Sequence, residues 1–185
     1  MTLDLSIRDA RADERDAIRA LTLAAYDEYR AQPFWTGYRR ILLATLDAEE
    51  EESVERMVAE RAGTLVGSVW LYPPQAKAYA HGPVSANWPE VRLMAVAPSA
   101  RGQGIGAALL RECERRARRS GATMLGLHTQ DAMQAAIRLY ERAGFVRAPE
   151  LDFQPPAGVF VKGYHLSLSH LSPGQDAAHD GDTGG

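Results

Sequence analysis

Apolar and polar residues alternate from Leu3 to Arg8, with Leu3, Leu5 and Ile7 set against Asp4, Ser6 and Arg8, the period of a half-buried strand. The period then lengthens. Ile18, Leu21, Ala25 and Tyr29 share one helical face behind Asp13, a residue suited to capping a helix start. After Pro33 a second helical stripe of Tyr38, Ile41, Leu42 and Thr45 runs into the acidic stretch Glu49 to Glu52, which reads as a solvated face or loop. Val54 to Glu60 and Thr64 to Tyr72 are strand-like and meet at Ala62-Gly63, as in a hairpin. In the second strand Leu65, Gly67, Val69 and Leu71 face one way, and Val66, Ser68, Trp70 and Tyr72 the other. Pro73-Pro74 ends it, and Gln75 to Pro89, with small residues and the lone Trp88, shows no period and is expected to be a loop.

Val91 to Val96 is short and apolar and stops before Pro98, which suits a mostly buried strand. Ile105, Leu109, Leu110, Cys113 and Ala117 then keep to one face of a helix, with Arg111, Glu112, Glu114, Arg115 and Arg118 on the other. Gly121 is a stop signal, since glycine tolerates the left-handed conformation there. Thr123 to His128 reads as the next strand. Asp131 is expected to begin a last helix in which Met133, Ile137 and Tyr140 stack. Phe145 to Arg147 and Val159 to Leu168 are expected to close the sheet as a hairpin around Pro155-Pro156-Ala157-Gly158. From Ser172 onward no large apolar residue occurs, so the reading is a single domain over 1–170 and a disordered tail over 171–185.

Composition narrows the function classes. The chain has 185 residues and a formal net charge of −3, which suits one core and argues against broad nucleic-acid binding. Cys113 is the only cysteine and sits on an apolar helix face, so no internal disulfide or cysteine-rich metal site is expected. His165 and His170 lie five apart outside any helix signal, so no metal site is expected from histidine spacing either. No run approaches a membrane span and the first residues do not form a signal peptide, so the expected location is cytoplasmic, with no membrane partner.

The candidate chemistry centres on Arg101-Gly102-Gln103-Gly104-Ile105-Gly106, between a strand and a helix. Glycine at every second place lets backbone N–H groups approach an anion, and the unpaired donors of the helix start point at it. Gly102 to Ala107 also fits a dinucleotide fingerprint, but that needs an acidic residue at the end of the next strand, and here His128 and Thr129 stand there.

With Leu93-Met94-Ala95-Val96-Ala97-Pro98 before it and Ala136 to Phe145 after it, the glycine block resembles the GNAT superfamily of acetyl-CoA-dependent N-acetyltransferases. The resemblance covers roughly Leu5 to Leu168 and is strongest from Glu90 to Phe145. It implies a mixed α/β fold: a mostly antiparallel twisted sheet of about seven strands, with strands four and five splayed apart, flanked by about four helices. The implied activity is transfer of an acetyl group from acetyl-CoA to a primary amine by direct attack in a ternary complex. A binding module that holds acyl-CoA or a small ligand without turnover is the alternative, and a nucleotide-dependent oxidoreductase a more distant one.

Roles follow from the resemblance. The amides of Gly102, Gln103, Gly104, Ile105, Gly106 and Ala107 are expected to take the pyrophosphate, with Arg101 adding charge, and the backbone of Met94, Ala95 and Val96 to pair with the pantetheine arm. Tyr140 stands where the family places its general acid, and a phenol keeps its proton at neutral pH. From helix periodicity alone it reads as a core tyrosine hydrogen-bonded to the backbone, and motif position reverses that reading. Glu90 stands where many relatives place a base, and His128 is its rival. Met133 replaces an Asn common among relatives, leaving Gln130 or Gln134 to make its contact. Tyr26, Tyr29, Phe34, Trp35 and Tyr38 are expected either to form the site for a small-molecule or peptide amine or to be core, with Asp27 and Glu28 favouring a cation. A homodimer is common in the superfamily, but no stretch here specifies one.

Overall fold

The computed structural model describes residues 5–48, 53–74, 87–154 and 160–169. Among them seven strands form one sheet: β1 (Leu5–Asp9), β2 (Glu55–Arg61), β3 (Thr64–Tyr72), β4 (Glu90–Val96), β5 (Met124–Thr129), β6 (Val146–Arg147) and β7 (Lys162–Ser167). The order across the sheet is β1-β2-β3-β4-β5-β7-β6, and every neighbouring pair is antiparallel except β4 with β5. Four helices flank it: α1 (Arg15–Tyr26), α2 (Trp35–Asp47), α3 (Ile105–Arg119) and α4 (Gln134–Arg142). The mixed α/β architecture expected from the sequence is the one observed.

Side-chain alternation on β3 assigns the helices to two faces. Val69 and Leu71 point into a core with Ile105, Leu109, Leu110, Cys113 and Ala117 of α3 and Ile137 and Tyr140 of α4. Trp70 and Tyr72 point the other way, against Leu42 and Leu46 of α2, and Ser68 meets Thr22 of α1 at 3.4 Å. The predicted stripe of α3 is therefore buried at each of its five positions. Removing one such side chain, as in Leu109→Ala, costs about 2–5 kcal/mol, because the cavity left behind refills only in part. Burial also pushes the Cys113 thiol well above its ordinary range, which makes it an inert core residue.

Local signals were right about most elements and wrong about some ends. The β2–β3 hairpin turns at Ala62 and Gly63, both at positive φ (50° and 75°), the handedness that matches strand twist. Asp13 does not cap α1. A single 3-10 turn, Ala12–Glu14, precedes that helix, and Glu14 accepts the Arg11 backbone N–H at 2.8 Å and two bonds from Arg8 of β1. Helix α4 begins at Gln134 rather than Asp131, because the Met133 N–H closes a turn onto the Gln130 carbonyl. In α2, Leu46 is buried while Ile41 is exposed. The start of the first predicted strand, the run Glu49 to Glu52, the loop over 75–86, the turn Pro155 to Gly158 with Val159, and the tail lie outside the described residues. No helix among the described residues is long and apolar enough to cross a membrane.

Candidate active site

Two irregularities in β4 make the site. Opposite Val69 of β3, β4 places both Leu93 and Met94, since Ser68 pairs with Ala95 and Trp70 with Arg92. Leu93 adopts φ 49°, a left-handed conformation that a branched side chain takes at a cost of about 1–2 kcal/mol. On its other edge β4 pairs with β5 only at Glu90↔Gly126 and Val91↔Leu127. Beyond Val91 the two strands part, and Arg92 to Val96 have no partner on β5.

A cleft of about 770 Å³ occupies the parting. It is lined by Met94, Ala95 and Val96, by the glycine turn and α3 start, by α4, and on the other face by α1 and α2. It therefore joins the two faces of the sheet through the gap between β4 and β5.

The α3 end of the cleft suits an anion. Gly104 precedes the helix at φ 77°, and its carbonyl accepts the Ala108 N–H at 3.0 Å, while the first amides of α3 have no partner within the helix. At Gly106 a Cβ would lie 3.0 Å from Leu139 Cδ2 and 3.7 Å from Val96 Cγ2, so its absence lets α3, α4 and β4 converge. Gly102, Gly104, Ile105, Gly106 and Ala107 all line the cleft. The Gln103 side chain does not: it donates to the Ser99 carbonyl at 3.3 Å and accepts from Arg61. Arg101 lines the cleft, but its guanidinium donates to Glu28 at 2.9 Å and to the Ala25 carbonyl at 2.7 Å, tying the glycine turn to the end of α1. Arg92, Arg111 and Arg142 add positive charge to the wall. This donor set fits a phosphate-bearing group.

Tyr140 is 8% exposed and faces the cleft. It belongs to the core cluster, but its hydroxyl makes no hydrogen bond to a described residue, so the backbone partner expected of a core tyrosine is not found among them. Burial pushes its acidity well below that of a free phenol, with Tyr26, Tyr29 and Cys113 adding smaller contributions, so the group stays protonated. Thr129 and Gln130 also line the cleft, and their Oγ1 and Oε1 atoms are buried without a hydrogen-bond partner among the described residues, each at a cost of about 1–3 kcal/mol. Gln134 is exposed and donates to the Asp131 carbonyl at 2.6 Å, so of the two glutamines only Gln130 belongs to the cleft.

Glu90 and His128, rivals in the sequence, are partners in the structure. His128 Nδ1 lies 2.9 Å from Glu90 Oε1, and Nε2 lies 3.0 Å from the Leu151 carbonyl oxygen. A carbonyl only accepts, so the contact to Leu151 is a hydrogen bond when Nε2 is the protonated nitrogen. His128 lines the cleft; Glu90 stands behind it. Gly126, across from Glu90, leaves room for the Trp88 indole, whose Nε1 would be only 2.6 Å from a Cβ there. Neither the Glu90–His128 pair nor the Arg101–Glu28 pair was foreseen, because each depends on strand register or on contacts between residues far apart in sequence.

The aromatic group surrounds the opposite mouth. Tyr26 stacks on Tyr38 at 5.8 Å, Phe34 meets Tyr38 edge-on at 5.8 Å, and Tyr29 contacts Tyr26 and Phe34 at 6.2 Å. These four line the cleft and are half-buried, so they form its wall rather than the core, whereas Trp35 packs outside it. Asp27 does not reach the cleft, and Glu28 is held by Arg101, so the expected preference of this mouth for a cation finds no unpaired carboxylate among the described residues. Among the described residues no cluster of three metal-ligating side chains occurs.

A model of the acetyltransferase (GNAT) family matches residues 15–145. The mycothiol acetyltransferase of Thermobispora bispora is 33% identical over 138 residues, covering 72% of this chain and 43% of its own length. The chain spans half or less of the length of each of the four mycothiol acetyltransferases matched. A GNAT-family acetyltransferase from Staphylococcus aureus Mu50 shares the fold at a TM-score of 0.67 and 15% identity, over 89% of this chain and 99% of its own. A GNAT-family acetyltransferase from Brucella melitensis, solved in complex with acetyl-CoA, superposes with a TM-score of 0.55 at 25% identity, over 78% of this chain and 84% of its own.

Proposed function

The chain belongs to the acetyltransferase (GNAT) family, and from that premise we propose that it moves an acetyl group from acetyl-CoA to a primary amine by direct attack in a ternary complex. The observation that carries this reading is the parting of β4 from β5, with Tyr140 lining the gap and its hydroxyl without a hydrogen-bond partner among the described residues.

In this reading the amides from Gly102 to Ala107 hold the pyrophosphate, and Arg111 and Arg142 supply charge nearby. The edge of Met94 to Val96 that β5 leaves without a strand partner aligns the pantetheine arm. An N–H of the same edge stabilises the charge that develops on the thioester oxygen. The amine nitrogen attacks the thioester carbon, the C–S bond breaks, and Tyr140 gives its proton to the departing sulfur.

The amine must also lose a proton, and the Glu90–His128 pair has the geometry to take it. In the structure Nδ1 is held by Glu90 and Nε2 by the Leu151 carbonyl, so taking the amine proton, directly or through water, requires a neutral imidazole whose Nε2 has left that carbonyl. His128 is then the base and Glu90 the positioning residue behind it. The test is thiol release from acetyl-CoA with an amine present: Tyr140→Phe and His128→Ala must each lower kcat while the protein still binds CoA.

A further inference from the structure

The two mouths of the cleft differ in chemistry. Toward α3 and α4 the wall is backbone amides and arginine, whereas toward α1 and α2 it is the rings of Tyr26, Tyr29, Phe34 and Tyr38 with Ile41 and Leu42. The four rings remain half-buried in contact with the cleft, so an apolar body laid on them removes further hydrocarbon from water. Among the described residues the carboxylates of the wall are Glu28 and Glu114, and each already pairs with an arginine, Arg101 at 2.9 Å and Arg118 at 2.7 Å. Four arginines line the same cleft. The wall therefore offers a second or third ammonium group no unpaired carboxylate among the described residues.

The ring wall is also set against the reacting strand. The Tyr26 hydroxyl donates to the Met94 carbonyl at 3.3 Å, so the wall lies one hydrogen bond from the backbone assigned to the acyl arm. A flat body seated on the rings would keep an amine on a short arm within reach of that strand.

We infer that the acceptor is a monoamine carried on an aromatic or comparably flat apolar body, seated on Tyr26, Phe34 and Tyr38, rather than a polyamine or aminoglycoside. The inference rests on the acetyl-transfer reading for the reaction, though not for the binding.

Calorimetry on the full chain saturated with CoA tests it, using 2-phenylethylamine, ethylamine and spermidine as probes, with thiol release from acetyl-CoA followed in parallel. Phenylethylamine is expected to bind at least about tenfold more tightly than either other amine, and Phe34→Ala to remove most of that margin. Phe34→Leu, which keeps apolar volume, serves the same purpose if the alanine variant loses its fold or its CoA binding. Spermidine binding as tightly as phenylethylamine, or an unchanged margin in a folded Phe34 variant, overturns the inference. Selective binding of phenylethylamine without thiol release leaves the inference standing and defeats the reaction. Thiol release that favours spermidine or ethylamine does the reverse, and an absence of both binding and release defeats both.

Discussion

His128 Nδ1 sits 2.9 Å from Glu90 Oε1, with Nε2 turned to the Leu151 carbonyl, so a carboxylate and a carbonyl hold one imidazole from both sides. If the imidazole takes the amine proton, His128→Ala lowers kcat/KM by roughly 10²–10⁴-fold, the range of a positioned general base. Glu90→Gln keeps a hydrogen bond to Nδ1 but removes the charge that supports the imidazolium. It is expected to be milder, with its largest effect at low pH, where the amine is protonated and needs most help losing its proton. A pH–rate profile of both variants checks the order; equal and pH-independent losses would make the pair purely structural.

Tyr140→Phe deletes a hydroxyl that has no hydrogen-bond partner among the described residues, so the melting temperature should stay within a degree or two and CoA affinity should persist. Only kcat is expected to fall, by roughly 10²–10⁴-fold. Single-turnover thiol release separates this from a case in which slow product release hides the chemical step.

Gly104→Glu is expected to abolish acetyl-CoA binding in a folded protein. It puts a negative charge at the start of α3 and forces a side chain onto φ 77°. Arg101→Ala leaves the amides in place and should weaken binding less. Because Arg101 also ties the glycine turn to Glu28 and Ala25, its loss should raise the amine KM as well. Calorimetry with CoA and steady-state kinetics check the two variants.

Acid should unfold the protein in a defined window. Hydrogen bonds from Arg8 hold the Glu14 carboxyl at about 2, and those from Arg115 and Arg116 hold Glu112 at about 2, both below the ordinary value of 4.5. A carboxylate depressed in the folded state adds stability above its unfolded value and loses it as pH falls through the folded one. The urea midpoint should therefore drop between pH 4.5 and 2. Glu14→Gln should flatten that drop more than Glu112→Gln, since Arg115 is exposed and salt screens its pair.

Ala62 occupies a positive-φ turn position where asparagine is favoured. Ala62→Asn is expected to stabilise the fold by about 0.5–1 kcal/mol, read as a rise in urea midpoint with unchanged slope.

Local periodicity was enough for α3, because one helix buries all five apolar positions of its stripe, and for the hairpin at Ala62-Gly63, because its turn chemistry is local. It failed where a distant partner decides the outcome. Glu14 rather than Asp13 accepts at the α1 start because Arg8 of β1 reaches it. Glu90 and His128 meet because Glu90 pairs with Gly126, which puts His128, two residues on, on the same face. The aromatic residues were legible as a group from spacing, but whether they formed core or wall depended on how α1 and α2 pack on the sheet. The bulge at Leu93 left no trace in the alternation of Val91 to Val96, since leucine is a poor signal for positive φ.

The most direct measurement of the central claim is a mass balance: acetyl-CoA, the protein and 2-phenylethylamine are mixed, and free CoA thiol and N-acetylated amine are quantified together. Equal amounts of the two products are expected, with turnover that Tyr140→Phe reduces at least about a hundredfold. Tight binding of acetyl-CoA with no thiol released for this or any other amine would contradict it, and would make the cleft a site that holds acyl-CoA without using it.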